Sequence, residues 1–195
     1  MKNNQTGRSM VEMLGVLAII GVLSAGGLAG YSKAMFKHKM NSTMDQLTML
    51  VTNIRTLYGT QDNYNGLKNS QAVALGIVPA SMQKGSASSL TNPFKGSVVI
   101  APAIVKGTLA ASGFTIQYND LPREACISLA TADWGSGAGS GFIGAMAGSI
   151  YTAKTVADTS GNATNKGEGN PLSLSDATNA SACASDQSSV TLYFY

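Results

Sequence analysis

Residues 13–31 read MLGVLAIIGVLSAGGLAGY, an uncharged run in which Ser24 is the only side-chain hydroxyl before the closing tyrosine. At 1.5 Å of rise per residue, about 19 helical residues cover close to 30 Å, the thickness of a bilayer's hydrocarbon. The run is therefore long enough to cross a membrane. A cleaved secretory signal is the competing reading, with Lys2 and Arg8 as its basic region and the small residues of 24–27 as its cleavage zone. Three features oppose that reading. Glu12 stands immediately before the run, where an unpartnered carboxylate costs roughly 2.5 to 3.5 kcal/mol at bilayer depth. The run is longer than the roughly 7 to 15 apolar residues of an ordinary signal core. Helical spacing also continues beyond it: Phe36, Met40, Met44, Leu47, Val51, Ile54 and Tyr58 follow at steps of three or four, which places them on one face.

Together these stretches predict one helix of about 49 residues, Met10 to Tyr58, about 73 Å long, with Gly59 as its C-terminal stop. Its first half is apolar all round and faces lipid or other copies of itself, whereas its striped second half packs on a globular domain. Gly15, Gly21, Gly26, Gly27 and Gly30 weaken the first half by up to about 1 kcal/mol each relative to alanine, yet they let apolar helices approach closely. Local unwinding is expected near Gly26 and Gly27.

The chain has 195 residues, which suits one domain with a long appendage. A 44% hydrophobic share with only 12% charged residues opposes intrinsic disorder. The net charge of +3 is not gathered into a basic block or an aromatic-interleaved stripe, so nucleic acid is not an expected partner. One histidine, His38, and two cysteines are too few for a zinc site of the Cys/His type, and no cofactor or metal is expected.

The string Gly7-Arg8-Ser9-Met10-Val11-Glu12, the Ala18-Ile19-Ile20-Gly21 within the apolar run, and Tyr31 in the same register resemble the class III leader and N-terminal helix of type IV prepilins. The resemblance implies a leader of residues 1–7, a helix of 8–58 whose residues 10–31 form the transmembrane segment and filament core, and a globular pilin domain of 59–195. It implies that prepilin peptidase cuts between Gly7 and Arg8 and methylates the new amine of Arg8. Glu12 would neutralise the amine of a neighbouring subunit, since a buried carboxylate is tolerable only when paired. Arg8 stands where the family usually has an apolar first residue. Its guanidinium leaves one positive charge in excess of Glu12, which calls for snorkelling to a wetter level or a further acceptor. The N-in, C-out orientation is taken from the leader resemblance, because basic residues flank the span on both sides.

Beyond Gly59, TQDNYNG is turn-forming. A short helix is expected over Gln71 to Leu75, with Ser70 as cap, Gly76 as stop and Pro79 barring continuation. The phrases NIRTLY and LGIVPASM are similar to the type IVb pilins, particularly those of conjugative thin pili. Val98 to Ile100, Phe114 to Tyr118, Ser149 to Ala153 and Val190 to Phe194 read as strands, and LPREACISLA as a helix with Asp120 as its cap. The expected fold class is α+β: a long N-terminal helix packed on a globular domain with a mainly antiparallel sheet, the type IV pilin lollipop. By the same resemblance Cys126 and Cys183 form a disulfide bounding the variable region of 126–183, as suits a pair exposed to an oxidising compartment.

Gly139-Ser140-Gly141-Phe142-Ile143-Gly144 matches the dinucleotide fingerprint, but the preceding WGSGAGS is a loop signal and no βαβ unit surrounds it, so a glycine-rich surface loop is expected. His38 lies among Lys37 and Lys39 on a solvated helix face, Trp134 reads as a packing anchor, and residues 159–189 as polar surface loops. No nucleophile, base and orienting group cluster, so an enzyme is not expected. The reading is a major pilin of a type IVb pilus, polymerised with copies of itself into a surface filament. Prepilin peptidase, an inner-membrane platform protein, an assembly ATPase and a secretin are its implied partners. A minor pilin or type II secretion pseudopilin that primes or tips a fibre is the alternative.

Overall fold

The computed structural model describes residues 10–84, 88–104, 111–135, 141–148, 165–166 and 169–195. In chain order the elements are α1 (Met10–Tyr58), α2 (Asn69–Ala74), a 3-10 turn (Ala80–Met82), β1 (Leu90–Thr91), β2 (Ser97–Ala103), β3 (Gly113–Leu121), α3 (Arg123–Thr131), β4 (Phe142–Gly148), β5 (Asn165–Lys166), α4 (Leu174–Ala177) and β6 (Ser188–Phe194). The chain divides into two compact units, one ending at Lys39 and the other spanning Met40–Tyr195.

The expected helix is present over its whole predicted range of 49 residues. It runs through Gly26 and Gly27 without a break, so the expected unwinding there is corrected. The backbone ladder is cooperative, and neighbouring apolar residues of good helix propensity carry two glycines through it.

In the second unit the strands form one six-stranded sheet in the order β1-β2-β3-β6-β4-β5, and all its pairings are antiparallel. Register sets Phe114 opposite Phe194, Ile116 opposite Leu192 and Tyr118 opposite Val190. These six side chains are buried on one face, and Phe142 of β4 extends the aromatic row with its ring 5.5 Å from that of Phe194. The later turns of α1 lie over this face: Arg55 sits above the Phe194 ring, and Tyr58 reaches Phe114 through the Tyr64 ring. Leu47, Leu50 and Ile54 are fully buried there. The buried side of α1 differs from the expected stripe. Thr43, Gln46 and Leu50 belong to it, whereas Met44 and Tyr58 are only half-buried. Gln46 is tolerated because its Nε2 donates to Ser81 Oγ of the 3-10 turn at 3.0 Å.

Two predicted caps are corrected. Ser70 lies inside α2, whose N-cap position is Lys68. Asn69, at the first position of α2, ties the helix to β2, its Oδ1 accepting from Ile100 N and its Nδ2 donating to Val98 O, both at 2.8 Å. Asp120 belongs to β3, with a left-handed φ of 52° at the register shift between Tyr118 and Leu121, and Pro122 takes the N-cap position of α3. The pyrrolidine ring explains the exchange, because it fixes φ and carries no N–H for the helix to leave unpaired. Residues 142–144, expected in a loop, form the start of β4 and are buried. The strand expected over Ser149 to Ala153 lies outside the described residues, as do Gly139 and Ser140.

The far face of β3 and β6 carries Thr115, Gln117 and Thr191, each only 5% exposed, so these strands are covered on both sides. At the β1–β2 turn the Asn92 side chain holds the chain reversal. Its Oδ1 accepts from Phe94 N and Gly96 N, and its Nδ2 donates to Asn119 O of β3, all at 2.9 Å.

Tyr118 Oη is buried with no hydrogen-bond partner, and burial pushes its phenol well above the ordinary tyrosine value. A phenol whose folded-state value is raised holds its proton while the unfolded chain releases it. Stability is therefore unaffected below about pH 10 and falls as pH climbs beyond it. Tyr118→Phe is expected to raise stability by about 1 kcal/mol at neutral pH, by removing an unsatisfied hydroxyl, and to flatten the alkaline decline. Urea titrations at pH 7 and pH 10.5 check both effects, and a less stable variant would show that the hydroxyl is paired in solution.

Candidate assembly surface

Two parts of the chain carry the residues singled out from sequence. In the N-terminal unit, residues 10–31 form a continuous helix whose large side chains are all exposed, Met10 at 84% and Val22 at 75% among them. It belongs to the single helix among the described residues that is long and apolar enough to cross a membrane. Burying one such side chain is worth about 1.5 to 3 kcal/mol. Among the described residues these side chains stay exposed, so a bilayer or other helices could supply that burial. Gly15, Gly21, Gly26, Gly27 and Gly30 have open space where a Cβ would stand, leaving shallow sites on the helix surface for a neighbour. Glu12 is exposed in the first turn, where the helix dipole favours a carboxylate. Gly7 and Arg8 lie outside the described residues, and His38 is exposed.

In the globular unit, Cys126 of α3 and Cys183 are joined, with S–S 1.96 Å, Cα–Cα 5.7 Å and a sequence separation of 57. Both are fully buried. Main-chain bonds fix each end of the bridge: Cys126 N donates to Pro122 O at 2.9 Å and Cys183 N to Ala177 O at 3.2 Å. The segment between α3 and α4 is tied down again where Leu172 N donates to Ala130 O at 2.9 Å. Trp134 is half-buried and its indole N–H donates to Leu129 O at 3.0 Å, closing the last turn of α3, so its role as an anchor holds.

Sequence reasoning did not find Arg55. Its Nε donates to the main-chain oxygen of Tyr195 at 3.0 Å, and its guanidinium carbon stands 5.4 Å from the centroid of the Phe194 ring. Burial lowers its pKa, and the nearby Tyr64 phenol acts in the opposite direction. Gly141 stands beside it at φ +73°, a backbone conformation that favours glycine, and a Cβ there would also displace the guanidinium. Tyr195 N donates to Gly141 O at 2.8 Å, so one arginine gathers the last turns of α1, the entry to β4 and the end of β6. No local pattern marks such a residue, since its partners lie up to 140 positions away. Arg55→Ala is expected to lower unfolding free energy by about 1 to 3 kcal/mol through the lost hydrogen bond and ring contact. Thermal unfolding of the oxidised chain reads it.

Residues 37–193 match the family described as PilS N terminal. The chain belongs to the PilS family. Among curated relatives, this PilS chain is 28% identical over 137 residues to the major structural subunit of bundle-forming pilus from Escherichia coli O127:H6, covering 70% of this chain and 69% of that protein. It is 28% identical over 134 residues to the toxin coregulated pilin of Vibrio cholerae serotype O1, covering 67% of this chain and 59% of the relative. Its fold matches the crystal structure of type IV b pilin from Salmonella typhi at a TM-score of 0.52 and 21% identity, covering 78% of this chain and 97% of that one. It also matches TcpA, a type IV pilin from Vibrio cholerae El Tor biotype, at 0.57 and 16% identity, covering 81% and 99%. At those identities the structures establish the fold of the PilS chain, a long N-terminal helix with an antiparallel sheet. The PilS family match, the relatives named as pilins and the pilin fold accord with the pilin reading of the leader string and the LGIVPASM phrase.

Proposed function

We propose that this chain is the major subunit of a type IVb pilus, made as a prepilin and polymerised with copies of itself into an extracellular filament. The observation that carries the proposal is the exposed apolar helix of residues 10–31 with Glu12 in its first turn, on a chain whose relative is named a major structural subunit. In this reading residues 1–7 are a leader, 8–58 the helix and 59–195 the pilin domain. Prepilin peptidase cuts between Gly7 and Arg8 and methylates the amine of Arg8. The chain waits in the inner membrane with its N-terminus inside. A platform protein and an assembly ATPase then lift it into the fibre, which leaves through a secretin. The subunit is a building block and not a catalyst.

The chemistry of the first turn supports the order of events. A carboxylate in an apolar core costs several kcal/mol unless a cation meets it. In the filament, the methylated amine of the neighbouring copy supplies that cation, and a chain still carrying residues 1–7 has no amine there. Leader removal thereby becomes the licence to polymerise. Intact mass and N-terminal sequencing of protein sheared from the cell surface test the proposal. A chain starting at Arg8, one methyl heavier than calculated and with Cys126 linked to Cys183, is expected. A chain starting beyond Ser24 in the soluble fraction would overturn it. Abundance in the sheared fibres separates a major from a minor subunit.

A further inference from the structure

The residues that follow the apolar run are basic where an exported flank has least reason to be. Lys33 and Lys37 are both exposed, and at four residues apart they share a face of α1. His38 is exposed beside them. The nearest acidic positions along the helix are Glu12, about six turns before Lys33, and Asp45, about two turns after Lys37. Neither is close enough to pair with the lysines within the helix. Tyr31, which closes the run, is exposed and of the type that settles at the headgroup level. Along a continuous helix Lys33 stands about 3 Å and Lys37 about 9 Å past Tyr31. The headgroup layer on each side of a bilayer is roughly 5 to 8 Å deep. With Tyr31 at the edge of the hydrocarbon, the two ammonium groups fall within or just above the phosphate layer.

We infer that Lys33 and Lys37 form a basic collar that binds the phosphate groups of anionic phospholipids in the leaflet toward which the globular unit is exported. The inference rests on the membrane-spanning stage proposed above. Lysines on the exported side run against the usual bias toward the cytoplasmic side. An anionic headgroup offers the charge that the helix itself does not place beside them. The collar sets the depth of the waiting subunit, and it must be given up when the subunit leaves the bilayer.

The test uses the full chain reconstituted in phosphatidylcholine bilayers with trace spin-labelled phosphatidylglycerol or spin-labelled phosphatidylcholine. The readout is the motionally restricted fraction of each label. The glycerol lipid is expected to associate roughly threefold to fivefold more strongly. A lysine near an anionic surface is worth about fivefold, and the preference is averaged over every lipid touching the helix. In the double variant Lys33→Gln, Lys37→Gln the preference is expected to fall to near equality, with the disulfide still formed as a check on folding. Equal association in the parent overturns the collar, as does a preference unchanged in the variant, which would place the anionic contact at Lys2 or Arg8. Restricted lipid of neither kind would overturn the membrane-spanning reading itself and the collar with it.

Discussion

Cells producing the chain with Glu12→Ala are expected to accumulate subunit in the membrane, with its disulfide formed and its globular unit folded, and to show almost no fibres. Glu12 sits exposed in the first turn of α1, so its loss is expected to leave the globular unit folded. In the assembly proposed above, the substitution strips the partner from a buried amine. Breaking a buried charge pair in this way costs about 3 to 5 kcal/mol, a factor of roughly a hundred to a few thousand at every subunit addition. Glu12→Gln, which keeps the shape and one acceptor, is expected to retain slightly more fibre. The measurement is the yield of sheared filament against total subunit. Wild-type fibre from Glu12→Ala would remove Glu12 from the assembly mechanism.

Reducing the bond between Cys126 and Cys183 is expected to lower unfolding free energy by about 4 kcal/mol, the loop-closure value for a separation of 57 residues. For a chain of this size that shifts the melting temperature by roughly 8 to 16 °C. Among the described residues, the bridged segment runs from within α3 through β4 and the two-residue β5 to α4, and Leu172 N to Ala130 O is a main-chain tie within it besides the disulfide. Calorimetry with and without reductant, with free thiols counted, decides the matter, and the pair Cys126→Ala, Cys183→Ala should reproduce the reduced value. A melting temperature that does not move while both thiols titrate would show that packing alone holds the segment.

The parts of this fold that were legible in the sequence are those written in a repeating pattern. Helix α1 could be bounded at Met10 and Tyr58 because its hydrophobic spacing never breaks and Gly59 closes it. Strands β2, β3 and β6 announced themselves through β-branched and aromatic residues. Strand β4 did not. Its sequence FIGAMAG is mostly glycine and alanine, residues with low strand propensity, and it is a strand because β6 and β5 pair with it on either side. Thr43 and Gln46 on the buried side of α1 were hidden for a related reason, since a polar side chain at a core position is explained only by what it meets, here Ser81 for Gln46. Asp120 has the chemistry of a helix cap, but the rigid ring of Pro122 had already fixed where α3 could begin. The exposed apolar half of α1 was the most legible of all, since an uncharged run of that length is a one-dimensional signal. Arg55 was the least, because its contacts with Phe194, Tyr195 and Gly141 exist only after the chain has folded.

The place of β6 has one more effect. It lies between β3 and β4, although it is made after both. A ribosome that has finished β3 and β4 has therefore produced two strands that do not pair with each other, and the hydrophobic rows of Phe114 and Phe142 wait for Phe194 to bridge them. Until β6 emerges, the sheet can form only as two separate parts, β1-β2-β3 and the β4–β5 pair. The two parts of the sheet are joined only when the last strand arrives. Nicks or tags near residues 188–194 will accordingly act on the whole sheet and not on a fraying edge.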